Sequence, residues 1–441
     1  MEKDIILFVN AIRPATFEAL QMYQAQTGRR FKPIVLVDTT IRHSITARNG
    51  QAYAKSDLLV LSADFTSAAS IRAALDPYMH RIFAVTSQYE NSVNELKKLI
   101  PYLPYLATPT EKSLEWATEK KHMRQLMEAY DRTLIPQYCE VTDASDKTVA
   151  EICEIMSFPL IVKPSGLEGS LLVSMVATKA ELQSVLTRTF IAIQGAYDKW
   201  IKRQIPAVLV EEFMNGDMYS VDAYVSARGT CAHTPPVKVI TGRKAGFDDF
   251  FGYIQRAPAG LPPEEIEKAY DAVERACRAV CLRSVTAHVE LMRTEDGWKI
   301  IELGPRIGGF RHEIYAKTYG INHIVNDILN RGGEAPVIPT AIRAHTAYLN
   351  IYAREEGVLA AVSGLDAVKR LASFQFMKQC AYVGEEVLFA KNNGDPVYQL
   401  CLSNESEAAL EQDIANVERS LQLMVEQPEE YLRQKADPIP F

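Results

Sequence analysis

Two glutamates on neighbouring predicted strands are the strongest candidates for chemistry in this sequence. The first strand alternates apolar and polar residues, and this alternation places Thr286, His288 and Glu290 on an open polar face. The segment 295–297, Glu-Asp-Gly, has the composition of a hairpin turn, so we expect Glu302 on the returning strand to lie beside Glu290. Adjacent carboxylates repel each other unless a cation lies between them.

A carboxylate pair that leaves coordination positions open suits Mg²⁺ at a nucleotide site, because Mg²⁺ keeps water and phosphate oxygens as ligands. The alternative is two solvated strand glutamates, which is the ordinary state of exposed carboxylates. The residues after Glu302 favour the metal site. Gly304, Gly308 and Gly309 permit close backbone approach to a ligand, and Arg306 carries a planar guanidinium suited to phosphate or carboxylate.

The segment 302–309, Glu-Leu-Gly-Pro-Arg-Ile-Gly-Gly, with Glu290 upstream, resembles the metal-binding end of the ATP-grasp superfamily, whose members usually show Glu-x-Asn-x-Arg-x-Gly-Gly. The resemblance implies ATP with Mg²⁺, or Mn²⁺ in its place, as cofactors. It also implies Glu290 and Glu302 as metal ligands and Arg306 as a catalytic residue. Gly304 stands where the pattern has Asn, which removes one expected metal ligand.

Length, composition and charge limit the classes of protein that the chain can represent. The 441 residues are 47% hydrophobic and 23% charged, which is typical of a globular protein with two to four packed units. A net charge of −7 argues against nucleic acid as a partner. The seven cysteines show no CxxC spacing, and we find no signal peptide or membrane span, so we expect reduced thiols and a cytoplasmic location. A homodimer is the default expectation.

Four short apolar runs, at 4–10, 33–38, 57–62 and 81–86, alternate with helical patterns at the start of the chain. This alternation predicts an α/β domain with a doubly wound parallel sheet. The segment lacks a GxGxxG loop, so it has no dinucleotide site of its own. In the resembled superfamily this domain helps to hold the non-nucleotide substrate. The candidates, all just after strand ends, are Asn10, Arg13, Ser87, Gln88, Tyr89 and Glu90.

Two lysines are the candidates for binding the phosphates of ATP. Lys120 and Lys121 lie on a predicted helix after a proline-rich linker, and the resemblance favours Lys120 as the one that reaches the nucleotide. Lys163 ends a predicted strand and is followed by the glycine and serine loop 165–170, which includes Ser170. Backbone N–H groups and hydroxyls of such a loop can enclose phosphates. It is not a Walker loop, which would end in Gly-Lys-Ser/Thr before a helix.

The strand at 207–214 ends in two acids, and the resemblance places adenine against this hinge. There Glu211 and Glu212 would offer polar groups to the base edge, while Phe213 and Met214 would cover it. The superfamily usually has a glutamate for the ribose hydroxyls in the next turn. Met218 occupies that position here, so Asp217, one residue away, is the predicted substitute.

A long loop and one helix start complete the candidates. The loop 242–251 carries Arg243 and Lys244, either of which would meet the γ-phosphate or a substrate carboxylate. The alternative is an ordinary surface loop without a function. Arg311 and His312 open the helix after the glycines and are candidates for substrate contact, as is Glu90. A lone histidine is more often a hydrogen-bonding wall than a catalytic group. Separately, Pro263 and the acids after it predict a structural helix.

We predict three domains: an N-terminal α/β domain at 1–107, an ATP-grasp domain at 108–335 with a lid at about 136–208, and a C-terminal α+β domain at 336–441. The segments 357–359 (Gly-Val-Leu), 362–365 (Val-Ser-Gly-Leu) and 384–387 (Gly-Glu-Glu-Val) resemble the C-terminal domain of L-amino acid ligases and carnosine-synthase-like enzymes. The resemblance implies an ATP-dependent ligase that joins a small carboxylate to an amine through an acyl phosphate. The alternatives are an ATP-grasp enzyme of the purine-synthesis or carboxylase type, and a nucleotide-binding protein without catalysis.

Overall fold

The structure is a computed structural model and describes residues 3–41, 58–167, 169–199 and 207–429. These residues form four β-sheets with helices packed against them, which agrees with the predicted α/β class. Within the described ranges, no helix is both long enough and apolar enough to cross a membrane.

The first sheet has four parallel strands in the order β3-β2-β1-β4, as the alternating pattern of the N-terminal segment predicted. All five residues of β1 are buried because its alternate side chains enter two different apolar clusters, Ile5 and Leu7 on one face and Ile6 and Phe8 on the other. The elements are β1 (Ile5–Val9), α1 (Ala15–Thr27), β2 (Lys32–Asp38), β3 (Leu59–Ala63), α2 (Ala68–Leu75), β4 (Ile82–Thr86) and α3 (Val93–Leu99).

Two helices lead into a second, antiparallel sheet with the strand order β5-β8-β6-β7 and an apolar core of its own. The elements are α4 (Glu111–Thr118), α5 (Lys120–Asp131), β5 (Tyr138–Val141), α6 (Asp146–Ile155), β6 (Leu160–Pro164), β7 (Ser174–Val176), α7 (Lys179–Lys199) and β8 (Val208–Glu212). The strands β6 and β8 are direct neighbours, and this brings Lys163 near Glu211.

The central sheet has nine strands in the order β14-β13-β9-β11-β12-β15-β19-β17, with β10 paired to β9. Its first part comprises β9 (Asp217–Val225), β10 (Cys231–His233), β11 (Val237–Thr241), β12 (Gly252–Ala257), α8 (Pro263–Ala279), β13 (Val285–Thr294), β14 (Gly297–Gly304), α9 (Arg311–Tyr319) and α10 (His323–Arg331). Helix α8 confirms the predicted structural helix: Glu264 and Glu265 occupy its first turn, and Ala269, Val273 and Ala276 are buried.

The last part of the chain contributes three strands to the central sheet and forms a small sheet with the order β18-β16-β20. The elements are β15 (His345–Ile351), β16 (Gly357–Ser363), α11 (Leu365–Lys369), β17 (Phe374–Gln379), β18 (Glu386–Val387), β19 (Tyr398–Asn404), α12 (Glu407–Ser420) and β20 (Gln422–Glu426). The division into three domains at 107 and 335 stays a prediction.

The polar face of β13 is not open along its whole length, as the alternation suggested. Thr286 and His288 are buried, because α10 packs over this part of the strand and Thr286 donates a hydrogen bond of 2.7 Å to Asp327 on that helix. The expectation of an open face holds only from Glu290, whose side chain is 30% exposed. Thr286 and His288, the buried residues of this strand, therefore support the side chain of Glu290 and do not face a ligand.

Candidate active site

The β13–β14 hairpin brings the two predicted metal ligands together. Glu290 and Glu302 are direct cross-strand partners, as the sequence pattern predicted, and their side chains are 30% and 32% exposed. A β-bulge follows, because Leu291 pairs with Ile300 and Ile301 is left as the additional residue. The bulge lets both Ile301 and Glu302 face the same cleft, although strict alternation would put them on opposite sides.

This cleft lies between the antiparallel sheet and the central sheet and encloses about 810 Å³, including its opening to solvent. It is lined mostly by apolar side chains with a few charged groups, which is the usual composition of a small-molecule site. The predicted residues that line it are Lys120, Lys163, Ser170, Glu211, Glu212, Phe213, Met214, Glu290 and Glu302. They are joined by Met218, Phe250, Met292, Ile301 and further apolar residues.

Lys120 enters the cleft, and its neighbour Lys121 does not. The Nζ of Lys120 donates a hydrogen bond of 2.6 Å to the carbonyl of Leu167 and lies 3.2 Å from Glu302 Oε2. Lys121 instead pairs with Glu140 at 2.7 Å. Ser165 fixes this arrangement, because its carbonyl and hydroxyl accept hydrogen bonds from the first two N–H groups of α5. The start of the helix is thereby tied to the loop after Lys163.

Lys163 and Glu211 form a buried ionic group with Arg124. Glu211 Oε2 lies 2.7 Å from Lys163 Nζ, and Glu211 Oε1 lies 2.8 Å from Arg124 Nε. Burial would raise the pKa of Glu211, but the two cations lower it to about 2. Burial lowers the pKa of Lys163 to about 8 despite the opposing effect of Glu211. Glu211 therefore serves as the counter-charge of two cations, in addition to lining the cleft.

Behind Glu290 lies a buried carboxylate, Asp222, which contacts two histidines. His288 Nε2 lies 3.6 Å from Glu290 Oε1, and His288 Nδ1 lies 2.6 Å from Asp222 Oδ1. Asp222 Oδ2 lies 2.6 Å from His323 Nε2 and accepts a hydrogen bond of 2.7 Å from the N–H of Gly308. Burial would raise the pKa of Glu290, but the contact with His288 lowers it, so Glu290 is ionised at neutral pH.

The two cross-strand carboxylates fit one divalent cation that also binds nucleotide phosphates and water. Their oxygens are hard ligands, both are partly exposed to the cleft, and Lys120 already contacts one of them as a cation. Among the described residues, no group of three or more histidine, cysteine or carboxylate side chains is arranged to hold a metal alone. Glu290 and Glu302 would thus hold a magnesium ion whose charge offsets that of the phosphates.

The candidates for ribose and γ-phosphate contact lie at the edge of the cleft. Asp217 pairs with Lys244 and lies 3.7 Å from Lys238 Nζ, and neither Asp217 nor Lys244 lines the cleft. The guanidinium of Arg243 lies 5.8 Å from the ring centre of Phe250, which does line it. The roles of Asp217, Arg243 and Lys244 stay predictions, and the first and last of these residues neutralise each other here.

The remaining candidates group together where the loop after β4 meets the loop after β14. Arg306 Nε lies 2.6 Å from Glu90 Oε2, so these two predicted residues are in direct contact. Arg311 is buried and donates hydrogen bonds to Ser220 and Gln255. Burial, with the charge of Arg13 nearby, lowers the pKa of His312 to about 3. His312 is therefore neutral at physiological pH.

The sequence patterns did not indicate several residues that organise the site. Arg124 holds Glu211 and also donates a hydrogen bond of 2.9 Å to the carbonyl of Ile301 at the bulge. Asp222 gives no local signal because its partners come from distant parts of the chain. Met292 could have been found, since a residue two positions after Glu290 on a strand faces the same side.

Comparisons with known proteins concern the family and the fold of this chain. Residues 156–313 match the family model of the ATP-grasp domain. The fold is similar to the crystal structure of an L-amino acid ligase from Bacillus licheniformis, with a TM-score of 0.74 and 16% identity over 97% of this chain and all of that one. Residues 156–313 are thus similar to ATP-grasp domains, as the resemblance at residues 290–309 indicated.

Curated proteins are also similar in sequence, among them the following two. The uncharacterized protein y4rH of Sinorhizobium fredii is 25% identical over 371 residues, which are 83% of this chain and 71% of that protein. Carnosine synthase 1 of Homo sapiens is 29% identical over 149 residues, which are 31% of this chain. The match spans only 16% of the length of the human protein.

Proposed function

We propose that this protein is an ATP-dependent carboxylate–amine ligase. A carboxylate oxygen of one substrate attacks the γ-phosphorus of ATP, ADP leaves, and an acyl phosphate forms. The nitrogen of an amine then attacks the acyl carbon, phosphate leaves, and the nitrogen loses a proton, which gives an amide. The proposed substrates are two amino acids, or an amino acid and a small carboxylic acid. A homodimer and a cytoplasmic location stay expectations of the sequence.

The observation that carries this proposal is the cross-strand pair of Glu290 and Glu302 at one end of an apolar cleft, with Lys120 between that pair and the loop after Lys163. Opposed carboxylates beside a lysine suit a bound metal–phosphate group. Four residues after Glu302 the same chain segment presents Arg306 at the N-terminal domain. One strand end thus connects the proposed phosphate site with the proposed substrate site.

Each group has a role that its surroundings support. Lys120 and Lys163 would neutralise phosphate charge, and Phe213 and Met214 would cover the adenine ring. Arg306 would stabilise the negative charge that develops on the transferred phosphoryl group and the attacked carbonyl. Charged groups held in place before the reaction are often the largest contribution to catalysis. No side chain needs to act as a covalent nucleophile, so none of the cysteines is assigned one.

The names of two similar proteins also support amide formation as the reaction. An L-amino acid ligase shares the fold, and carnosine synthase 1 is similar over part of the chain. Neither comparison identifies the carboxylate or the amine that this protein would use. Specificity resides in the shape and polarity of the substrate pocket.

The test is ADP release by the purified protein with magnesium and ATP, measured against amino acids singly and in pairs, with mass spectrometry of the products. We expect ADP release that depends on a pair of substrates and a new amide mass. Glu302→Gln should abolish both. Glu295→Gln, at the exposed turn of the same hairpin, is the matched control and should keep wild-type activity.

Other outcomes point to other functions. Turnover that depends on bicarbonate or formate would favour an enzyme of the carboxylase or purine-synthesis type. ATP binding without turnover for any pair would favour a nucleotide-binding protein without catalysis. Failure to bind ATP with magnesium would refute the proposed site.

A further inference from the structure

Gly304 occupies the position where the ATP-grasp pattern usually has Asn, and the structure shows what fills the space. A methyl group added to Gly304 would lie 2.9 Å from Glu90 Oε2, closer than normal carbon–oxygen contact allows. It would lie 3.7 Å from Arg306 Cζ and 3.8 Å from Arg306 Cγ. The backbone of Gly304 is not in the left-handed region that disfavours other residues. The neighbouring carboxylate, and not the backbone, therefore limits the size of the residue here.

Glu90 and Arg306 form an ion pair between two parts of the fold. Glu90 follows β4 in the N-terminal domain, whereas Arg306 follows β14, and Oε2 and Nε are 2.6 Å apart. The side chains are only 12% and 17% exposed. Arg306 Nη1 also donates a hydrogen bond of 3.2 Å to the carbonyl of Ile307. Contacts at Nε and Nη1 together define the plane of the guanidinium.

Arg13 holds the two loops that carry this pair. It donates hydrogen bonds of 3.1 Å and 2.8 Å to the carbonyls of Gly308 and Gly309, and one of 2.7 Å to the carbonyl of Gln88. Burial lowers the pKa of Arg13 to about 10, and the nearby positive charge of Arg306 adds to this effect. The positive charges of Arg13 and Arg306 therefore repel each other, and Glu90 is a carboxylate in contact with Arg306.

We propose that Glu90 is a positioning residue that orients Arg306 for the reaction, and that Gly304 is the residue that leaves room for it. This inference rests on the proposed ligase function. The absence of a side chain at residue 304 then makes room for Glu90, and it does not indicate a degraded site. The N-terminal domain supplies, from across the interface, a polar group at the place where the usual pattern has one on β14.

The test removes the carboxylate at residue 90 and introduces one at residue 304, on the other side of Arg306. Glu90→Ala should lower kcat about 100-fold, because a displaced catalytic group commonly costs that much. Gly304→Asp alone should be similarly impaired, since its carboxylate would meet Glu90. In the double variant E90A/G304D, the carboxylate introduced on β14 faces Arg306 without a competitor, and kcat should rise at least about tenfold above that of E90A, as expected for directly coupled sites.

The affinity for Mg-ATP, measured by calorimetry, separates positioning from general damage. It should stay unchanged in E90A and E90Q, because Glu90 does not line the nucleotide cleft. Glu90→Gln keeps the shape but removes the charge, and it should reproduce the loss of kcat in a protein that is still folded at the assay temperature. Glu334→Gln is the matched control, since Glu334 pairs with Arg29 of the N-terminal domain at 2.8 Å, away from the site. It should keep wild-type kcat.

The outcomes separate this inference from the function on which it rests. Amide formation by the wild type with wild-type kcat in E90Q would overturn the inference alone, even if G304D proved unstable. A double variant that folds but is no faster than E90A would overturn it too. A wild-type protein that forms no amide from any pair would refute the proposed function, and the inference with it.

Discussion

The buried ionic group of Arg124, Lys163 and Glu211 allows a stability prediction. In Glu211→Gln, two cations whose side chains are 0% and 7% exposed lose their counter-charge. Breaking a buried pair by removing one partner costs about 3–5 kcal/mol. Lys163 can reduce its part of the cost by losing its proton, because its pKa is already about 8. Arg124 cannot, so we expect a loss of about 3 kcal/mol, at the lower end of that range.

Glu140→Gln is the matched control, because it removes the same charge from an ion pair with the same helix. Glu140 and Lys121 are 31% and 34% exposed, so we expect a loss below about 1 kcal/mol. Urea denaturation gives the comparison, and hydrogen exchange of β6 and β8 locates the change where unfolding is not two-state. Equal losses in the two variants would refute the argument that Glu211 neutralises buried cations.

Two further predictions concern the cleft and its supporting loop. Burial lowers the pKa of Lys163 to about 8, so the lysine loses its charge above that pH and ATP affinity should fall between pH 7 and 9. Calorimetry would show this in the wild type and equally in Lys121→Ala, and a flat profile would contradict it. Gly308→Ala should lower stability by about 1–3 kcal/mol, because the added methyl lies 2.4 Å from Arg311 Cγ. Gly309→Ala meets nothing within 4 Å and should leave the melting temperature unchanged; equal melting temperatures would refute the clash.

The parts of the fold that depend on local periodicity could be predicted from the sequence. Alternation and a hairpin turn were sufficient to pair Glu290 with Glu302, and the repeated apolar runs were sufficient for the parallel sheet. These patterns repeat within a few residues, so a single segment contains the whole signal. The class of fold and the proposed metal site both follow from such segments.

Contacts between segments far apart in the sequence could not be predicted from local periodicity. Asp222 meets His288, 66 residues away, and His323, 101 residues away, and nothing near Asp222 in the sequence indicates either. The contact between Glu90 and Arg306 likewise depends on how the loop after β4 packs on the loop after β14. The bulge at Ile301 could not be predicted from the alternation of apolar and polar residues. The additional residue is another apolar side chain in an apolar strand, so the sequence does not mark its position.

The central sheet has a consequence for how this protein can be divided or recombined. Strand β12 pairs with β15, so a cut at residue 335 would separate strands that share a continuous hydrogen-bond ladder. The truncated protein would expose the backbone edge of β12, and such edges promote aggregation. Chimeras with structurally similar proteins should therefore exchange the segment that carries β5, β6, β7 and β8, since these strands form a sheet of their own, rather than the C-terminal segment. For engineering purposes, the β13–β14 hairpin and the C-terminal strands should stay together, because they belong to one continuous sheet.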